Sequence, residues 1–101
     1  MGYKPRRRPA KLGKKLARIR KELGLSQNEM IRRLGFTDEL RQSHISGFEL
    51  GTREPSLIVL LRYARVVCVT MEALVDDGLD LPERLPSRIQ AQKEKKRAND
   101  L

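Results

Sequence analysis

Three hydroxyl residues and four glycines divide this chain before any other feature does. Ser26, Ser56 and Thr70 each precede a run with apolar residues at helical spacing, and Gly24, Gly35, Gly51 and Gly78 each close one. A hydroxyl placed there accepts a hydrogen bond from a free N–H of the first turn, and glycine reaches the left-handed conformation that ends a helix. In "SQNE", Glu29 stands three residues after Ser26, the spacing at which hydroxyl and carboxylate satisfy backbone donors reciprocally. The chain is therefore expected to fold as short helices between tight links.

The apolar spacing agrees. Leu12, Leu16, Ile19 and Leu23 mark a first helix that can start at Pro9, whose missing N–H costs nothing in a first turn. Met30, Ile31 and Leu34 give the second, and Ile45 with Phe48 anchor a third, although Gly47 inside it is about 1 kcal/mol worse than alanine. After Ser56, "LIVLLRYARVVCV" reads as a strongly apolar fourth helix, with Leu57, Leu60, Leu61 and Ala64 expected toward the core and Tyr63 packing among them. "MEALVDD" after Thr70 gives a short fifth. No period-two pattern appears, so the fold class is all-α: a five-helix domain over 10–78, a basic arm over 1–9 and a polar tail over 79–101.

Charge is unevenly placed. Residues 1–22 hold ten Lys or Arg against one acid, whereas residues 23–101 hold twelve of each sign, so the whole net charge of +9 lies in the arm and first helix. A cationic end on a balanced domain suits a polyanionic partner. Lys11, Lys14, Lys15 and Arg18 read as a solvated face adjoining the arm, from which contacts to a phosphate backbone are plausible.

Other chemistries find little support. No nucleophile, base and orienting acid fall together and no glycine-rich phosphate loop appears, so the chain is not expected to be an enzyme or to need a cofactor. Cys68 is the one cysteine and lies inside an apolar run, which predicts a buried thiol in a reducing compartment. His44 has no partners at metal-ligand spacing. No apolar run is long enough to span a membrane, and a cytoplasmic, nucleoid-associated protein is expected.

The segments "LGLSQNEMIRRLG" and "ISGFELGTREPSLIVLLRYARVV" occur in an order that resembles the phage-repressor and Cro-type helix-turn-helix family, over roughly residues 10–77. The resemblance implies a lambda-repressor-like fold whose third helix enters the DNA major groove. Matched position by position, Gln27 would bind a phosphate at the start of the second helix. Gln42, Ser43, Ser46 and Gly47 would approach bases, and Thr52 with Arg53 would touch the next phosphates. Arg20 and Glu49 would form a partly buried pair that orients the reading helix. His44, near the start of that helix, could reach phosphate or base, and Arg6, Arg7 and Arg8 in the arm could reach phosphates or an adjacent minor groove.

One departure stands out. Thr37, Asp38, Glu39 and Leu40 make the link between the second and third helices about four residues longer than the family pattern, roughly one helical turn. Either the turn is longer, or the reading helix starts a turn earlier, capped by Thr37, and carries Arg41 and Gln42 deeper toward DNA. In the second case Asp38 and Glu39 are expected to point away from DNA or toward the basic arm.

The expected function is a sequence-specific regulator of transcription on double-stranded DNA, a bacterial or phage repressor acting as a homodimer. Val75, Leu79, Leu81 and Leu85 would supply a symmetric interface or seal the domain's own base. Two alternatives remain open at this point: an antitoxin whose tail after Pro82 wraps a protein partner, and a nonspecific nucleic-acid or ribosome-associated protein.

Overall fold

A computed structural model describes residues 8–85, and among them five helices and no strand. They are α1 (Leu12–Glu22), α2 (Gln27–Leu34), α3 (Gln42–Leu50), α4 (Leu57–Val67) and α5 (Met71–Val75). The three hydroxyl caps and the glycine ends of α2 and α3 work as expected. Ser26 Oγ accepts from Glu29 N at 3.1 Å while Glu29 Oε1 accepts from Ser26 N at 2.9 Å. The Ser26 N–H bonded to the carboxylate first, and the Ser26 side chain second, hold the Glu29 carboxyl below its ordinary pKa. Ser56 and Thr70 cap α4 and α5 through the N–H groups of Val59 and Ala73. Gly35 and Gly51 end α2 and α3 in the left-handed conformation.

The core is one cluster drawn from every helix: Leu12, Leu16 and Ile19 of α1, Met30, Ile31 and Leu34 of α2, Ile45 and Phe48 of α3, most of α4, and Leu74 of α5. The buried face of α4 differs in phase from the expectation. Leu60 and Ala64 are buried, but Leu57 is 75% exposed and Leu61 half-buried, while Val59, Tyr63, Val66 and Val67 turn inward. Five consecutive apolar residues after Ser56 make every helical phase equally hydrophobic, so periodicity could not choose between them. Packing against α2 on one side and α5 on the other makes the choice.

Cys68 is a second correction. It is exposed, because it terminates α4 as a left-handed cap with φ of 55°, and both its N–H and its sulfur meet the Arg65 carbonyl. Helix α5 ends at Val75 rather than near Gly78; Asp76 leaves the helical conformation and its carboxylate accepts from Gly78 N at 2.8 Å.

The start of α1 departs too. The helix begins at Leu12, and Lys11 at its cap has no side-chain bond of its own. Asp77, far along the chain, supplies it: its carboxylate accepts from Ala10 N at 2.8 Å and Lys11 N at 3.0 Å. A carboxylate at a helix N-terminus also meets the positive end of the helix dipole. Those two N–H donors hold the Asp77 carboxyl below the usual range.

Lys15 and Arg18 are not a solvated face. Lys15 is buried, and its Nζ donates to the carbonyls of Ala73 at 2.7 Å, Leu79 at 2.8 Å and Asp76 at 3.0 Å. Arg18 donates to the carbonyls of Leu81, Pro82 and Glu83 and pairs with Glu22 at 2.9 Å. Together they hold residues 76–83 as a strap across α1, with Leu81 buried beneath it and Leu85 packed half-buried against the core. Of the four residues proposed for an interface, these two seal the domain's own base; Val75 and Leu79 stay about two-fifths exposed, at 38% and 40%. Among the described residues no helix is long and apolar enough to cross a membrane.

Candidate nucleic-acid interface

Helices α2 and α3 begin side by side, each with a glutamine as its first residue. Gln42 Nε2 donates to Gln27 Oε1 at 3.2 Å, and Gln27 Nε2 reaches Glu49 Oε1 at 3.4 Å. Arg20 then closes the series from α1, donating from Nε to Glu49 Oε2 at 2.7 Å and from a terminal nitrogen to Glu49 Oε1 at 3.0 Å. Its other terminal nitrogen donates to the Leu25 carbonyl at 3.0 Å. Four side chains on three helices thus form one continuous hydrogen-bonded row that runs from the interior to the exposed start of α3.

The inner end is the rigid one. The side chains of Arg20 and Glu49 are only 16% and 7% exposed. Glu49, through its hydrogen bonds, holds the Arg20 guanidinium above its usual pKa, outweighing the cost of burial. Tyr63 of α4 lies behind them, wholly buried, with its hydroxyl unpartnered among the described residues. Burial first, and the negative Glu49 second, push that phenol well above its ordinary value.

The outer end is exposed and polar. Arg41, Gln42 and Ser43 are exposed at the start of α3 and Ser46 is half-buried one turn on. His44 uses its ring locally: Nδ1 accepts from Arg41 N at 2.9 Å, which caps the helix in place of a hydroxyl. An accepting Nδ1 puts the proton of the neutral ring on Nε2, leaving an N–H donor at that corner.

Gly47 faces another way. It is buried, and a Cβ there would lie 3.0 Å from Arg53 Cβ and 3.4 Å from Thr52 Oγ1. Its carbonyl accepts from Thr52 N at 3.0 Å and Arg53 N at 3.1 Å. What approaches this glycine in the structure is the protein's own turn, through Thr52 and Arg53. Gly47 seats the turn that exposes Thr52 and Arg53. Arg53 makes no ion pair among the described residues, which leaves its charge available.

The long link is settled as a longer turn. Helix α3 starts at Gln42, and Glu39 N and Leu40 N both bond the Phe36 carbonyl, at 3.1 and 2.9 Å. Phe36 and Leu40 pack half-buried against the core, and the Arg62 guanidinium sits 5.6 Å over the Phe36 ring. Apolar residues at both ends of the link fasten it down, so α3 does not reach back to Thr37 and Arg41 is not carried further along the helix. Asp38 and Glu39 stay exposed and unpaired among the described residues.

In the arm, Arg8 is exposed and lies 3.6 Å from Glu54, beside the Thr52–Arg53 turn. Arg6 and Arg7 lie outside the described residues, as does the tail from residue 86.

The sequence did not reveal Gly13. A Cβ on it would lie 2.6 Å from the Glu49 carbonyl oxygen and 2.9 Å from that of Phe48. The end of α3 therefore rests directly on the backbone of α1, and this contact sets the height of the exposed helix. A glycine inside an otherwise regular helical run was the available signal.

Comparison with known proteins agrees with this geometry. Residues 16–74 match the helix-turn-helix family. The chain is also 38% identical over 71 residues, 70% of its own length and 87% of the relative's, to an uncharacterized HTH-type transcriptional regulator, y4dJ, of Sinorhizobium fredii. The chain therefore belongs to the lambda-repressor/Cro-like helix-turn-helix family of DNA-binding transcriptional regulators.

Proposed function

We propose that this protein is a sequence-specific repressor that binds double-stranded DNA as a homodimer, with α3 in the major groove. The observation that carries the reading is the row from Arg20 through Glu49 and Gln27 to Gln42. It ends at two exposed helix starts, where free N–H groups and helix dipoles favour phosphate, and where an amide can pair with a base edge. Arg41, Gln42, Ser43 and Ser46 read bases. Gln27, His44, Thr52 and Arg53 hold phosphates, and Arg6, Arg7 and Arg8 add backbone contacts from the arm. Gly47 is left out of this set because it is covered by the turn it supports.

Dimerization is supported by apolar surface that the fold leaves uncovered: Val75 and Leu79 near the strap, and Leu50, Leu57 and Ile58 around the α3–α4 turn. A two-fold dimer places its reading helices about one turn of DNA apart. The protein works in the cytoplasm on the chromosome or on a phage genome.

Selection of bound duplexes from a random pool at physiological salt tests the reading. Enrichment of a repeated or palindromic motif with half-sites about 10 base pairs apart is the expected result. Uniform recovery of all sequences, with binding lost steeply as salt rises, would overturn it in favour of nonspecific phosphate binding.

A further inference from the structure

Every side of α1 but one is occupied. Gly13 and Arg20 face α3, Leu12, Leu16 and Ile19 face the core, and Lys15 with Arg18 hold α5 and the strap. The remaining side carries Lys14 and Lys21, both exposed, with Lys11 at the helix start and Ala17 and the flank of Arg18 between. The three lysines make no hydrogen bond or ion pair through their side chains among the described residues. Lys14 and Arg18 border two adjoining shallow depressions, one continuing to Lys21 and Glu22, the other to Lys11, Asp80 and Leu81. Three acids thus touch the face; Glu22 is paired with Arg18, Asp80 sits at its edge, and Asp77 lies at Lys11 with its carboxylate taken up by the Ala10 and Lys11 N–H groups.

We infer that this outer side of α1 is a second DNA-binding surface, taking the phosphate backbone of a duplex segment other than the one read by α3. Lys11 to Lys21 spans about 15 Å of helix, the length over which one DNA strand presents about four phosphates. The face lacks the aromatic or branched apolar anchors on which protein partners depend, and that absence favours a polyelectrolyte. Duplex DNA is the polyanion in question because α3 already holds the protein on it, so neighbouring segments are present at high local concentration. This surface would let one bound regulator bridge or condense flanking DNA. The inference rests on the base-reading role of α3, and its test separates the two.

A duplex carrying the selected motif is immobilised and loaded with full-length protein, and retention of a free labelled duplex of unrelated sequence is measured. The wild type is expected to retain it. The triple variant Lys11→Gln, Lys14→Gln, Lys21→Gln is expected to load equally on the motif and melt at the same temperature, yet retain at least tenfold less labelled duplex. The salt dependence of that second step should weaken by ~0.9 in log–log slope for each lysine removed. Equal retention by the variant would overturn the inference, as would a wild type that retains labelled RNA but no duplex. Loading no tighter on the motif than on unrelated DNA would instead count against base reading by α3, and the lysine-dependent slope would still report on α1.

Discussion

Gln42 donates across 3.2 Å to Gln27, so the first residue of the exposed helix is held by the first residue of the helix that precedes it. The proposed function assigns one group to bases and the other to phosphate, and on that proposal base reading and backbone docking are parts of one hydrogen-bonded unit rather than two neighbouring contacts.

That coupling predicts non-additivity. Gln27→Ala should weaken binding to every duplex and also blur preference at the base facing Gln42, because an unsupported glutamine samples more rotamers. Gln42→Ala should relax preference at that base by roughly 1 to 3 kcal/mol. The double variant should lose less than the sum, by about 0.5 to 1 kcal/mol, in a cycle of affinities on one selected operator. Strictly additive losses would show that the two amides act independently on DNA.

Glu49 lies deeper in the same row and should act on both stability and binding. Removing it leaves Arg20 mostly buried with only the Leu25 carbonyl as partner. Glu49→Ala is expected to cost about 2 to 3 kcal/mol of stability, since an uncompensated guanidinium must find water. Glu49→Gln keeps one acceptor and should fall between. Thermal melts of the free proteins give the stability term, and affinities measured well below the melting range give the binding term. An unchanged melting temperature for the alanine variant would remove the pair as a structural element.

Local signals in the sequence were the ones that transferred to the fold. Ser26 with Glu29, Ser56, Thr70, Gly35 and Gly51 act through hydrogen bonds and dihedral angles within a few residues of themselves, and each marks a helix end where expected. The bonds that join distant segments were not legible. Asp77 caps α1 from the far end of the domain, and Lys15 reads as a surface lysine until the carbonyls of Ala73, Asp76 and Leu79 surround it. Only the tertiary fold brings those partners together. At the candidate site, the resemblance supplied the Arg20–Glu49 pair and the separate positions of Gln27 and Gln42, but not that Gln27 joins that pair to Gln42 through its own side chain. Nor did it show that the added residues after Gly35 would fold back through Phe36 and Leu40.

The cap at Asp77 predicts a dependence on acid. In the folded protein the Asp77 and Glu29 carboxyls both lie below their ordinary values, in each case first because backbone N–H groups bond the charged form. A depressed carboxyl contributes stability that is complete above its unfolded pKa and is lost as pH falls through the folded one. Stability should therefore be level near neutrality and decline from about pH 5 toward pH 3. Asp77→Ala should be less stable at pH 7 and show a shallower decline. Denaturant melts across that range would decide it: parallel curves for variant and parent would mean that Asp77 does not hold the start of α1.

Two glycine-to-alanine changes separate what the backbone contacts do. Alanine in a helix interior gains about 1 kcal/mol over glycine, so either change would stabilise an unhindered helix. At Gly13 the new Cβ would meet the Glu49 carbonyl oxygen at 2.6 Å, and neither helix backbone can yield without parting α1 from α3. The overlap should outweigh the gain, for a net loss of about 2 kcal/mol and a melting temperature lower by roughly 10 °C in a domain of this size. At Gly47 the nearest atom is Arg53 Cβ at 3.0 Å, on an exposed turn that can shift by a few tenths of an ångström. Gly47→Ala should therefore melt near the parent or slightly above it, yet bind all duplexes more weakly, since the shifted turn carries Thr52 and Arg53. If Gly13→Ala keeps the parent's melting temperature, α3 does not rest on α1 as described. If Gly47→Ala binds as tightly as the parent, the turn after α3 does not hold phosphate.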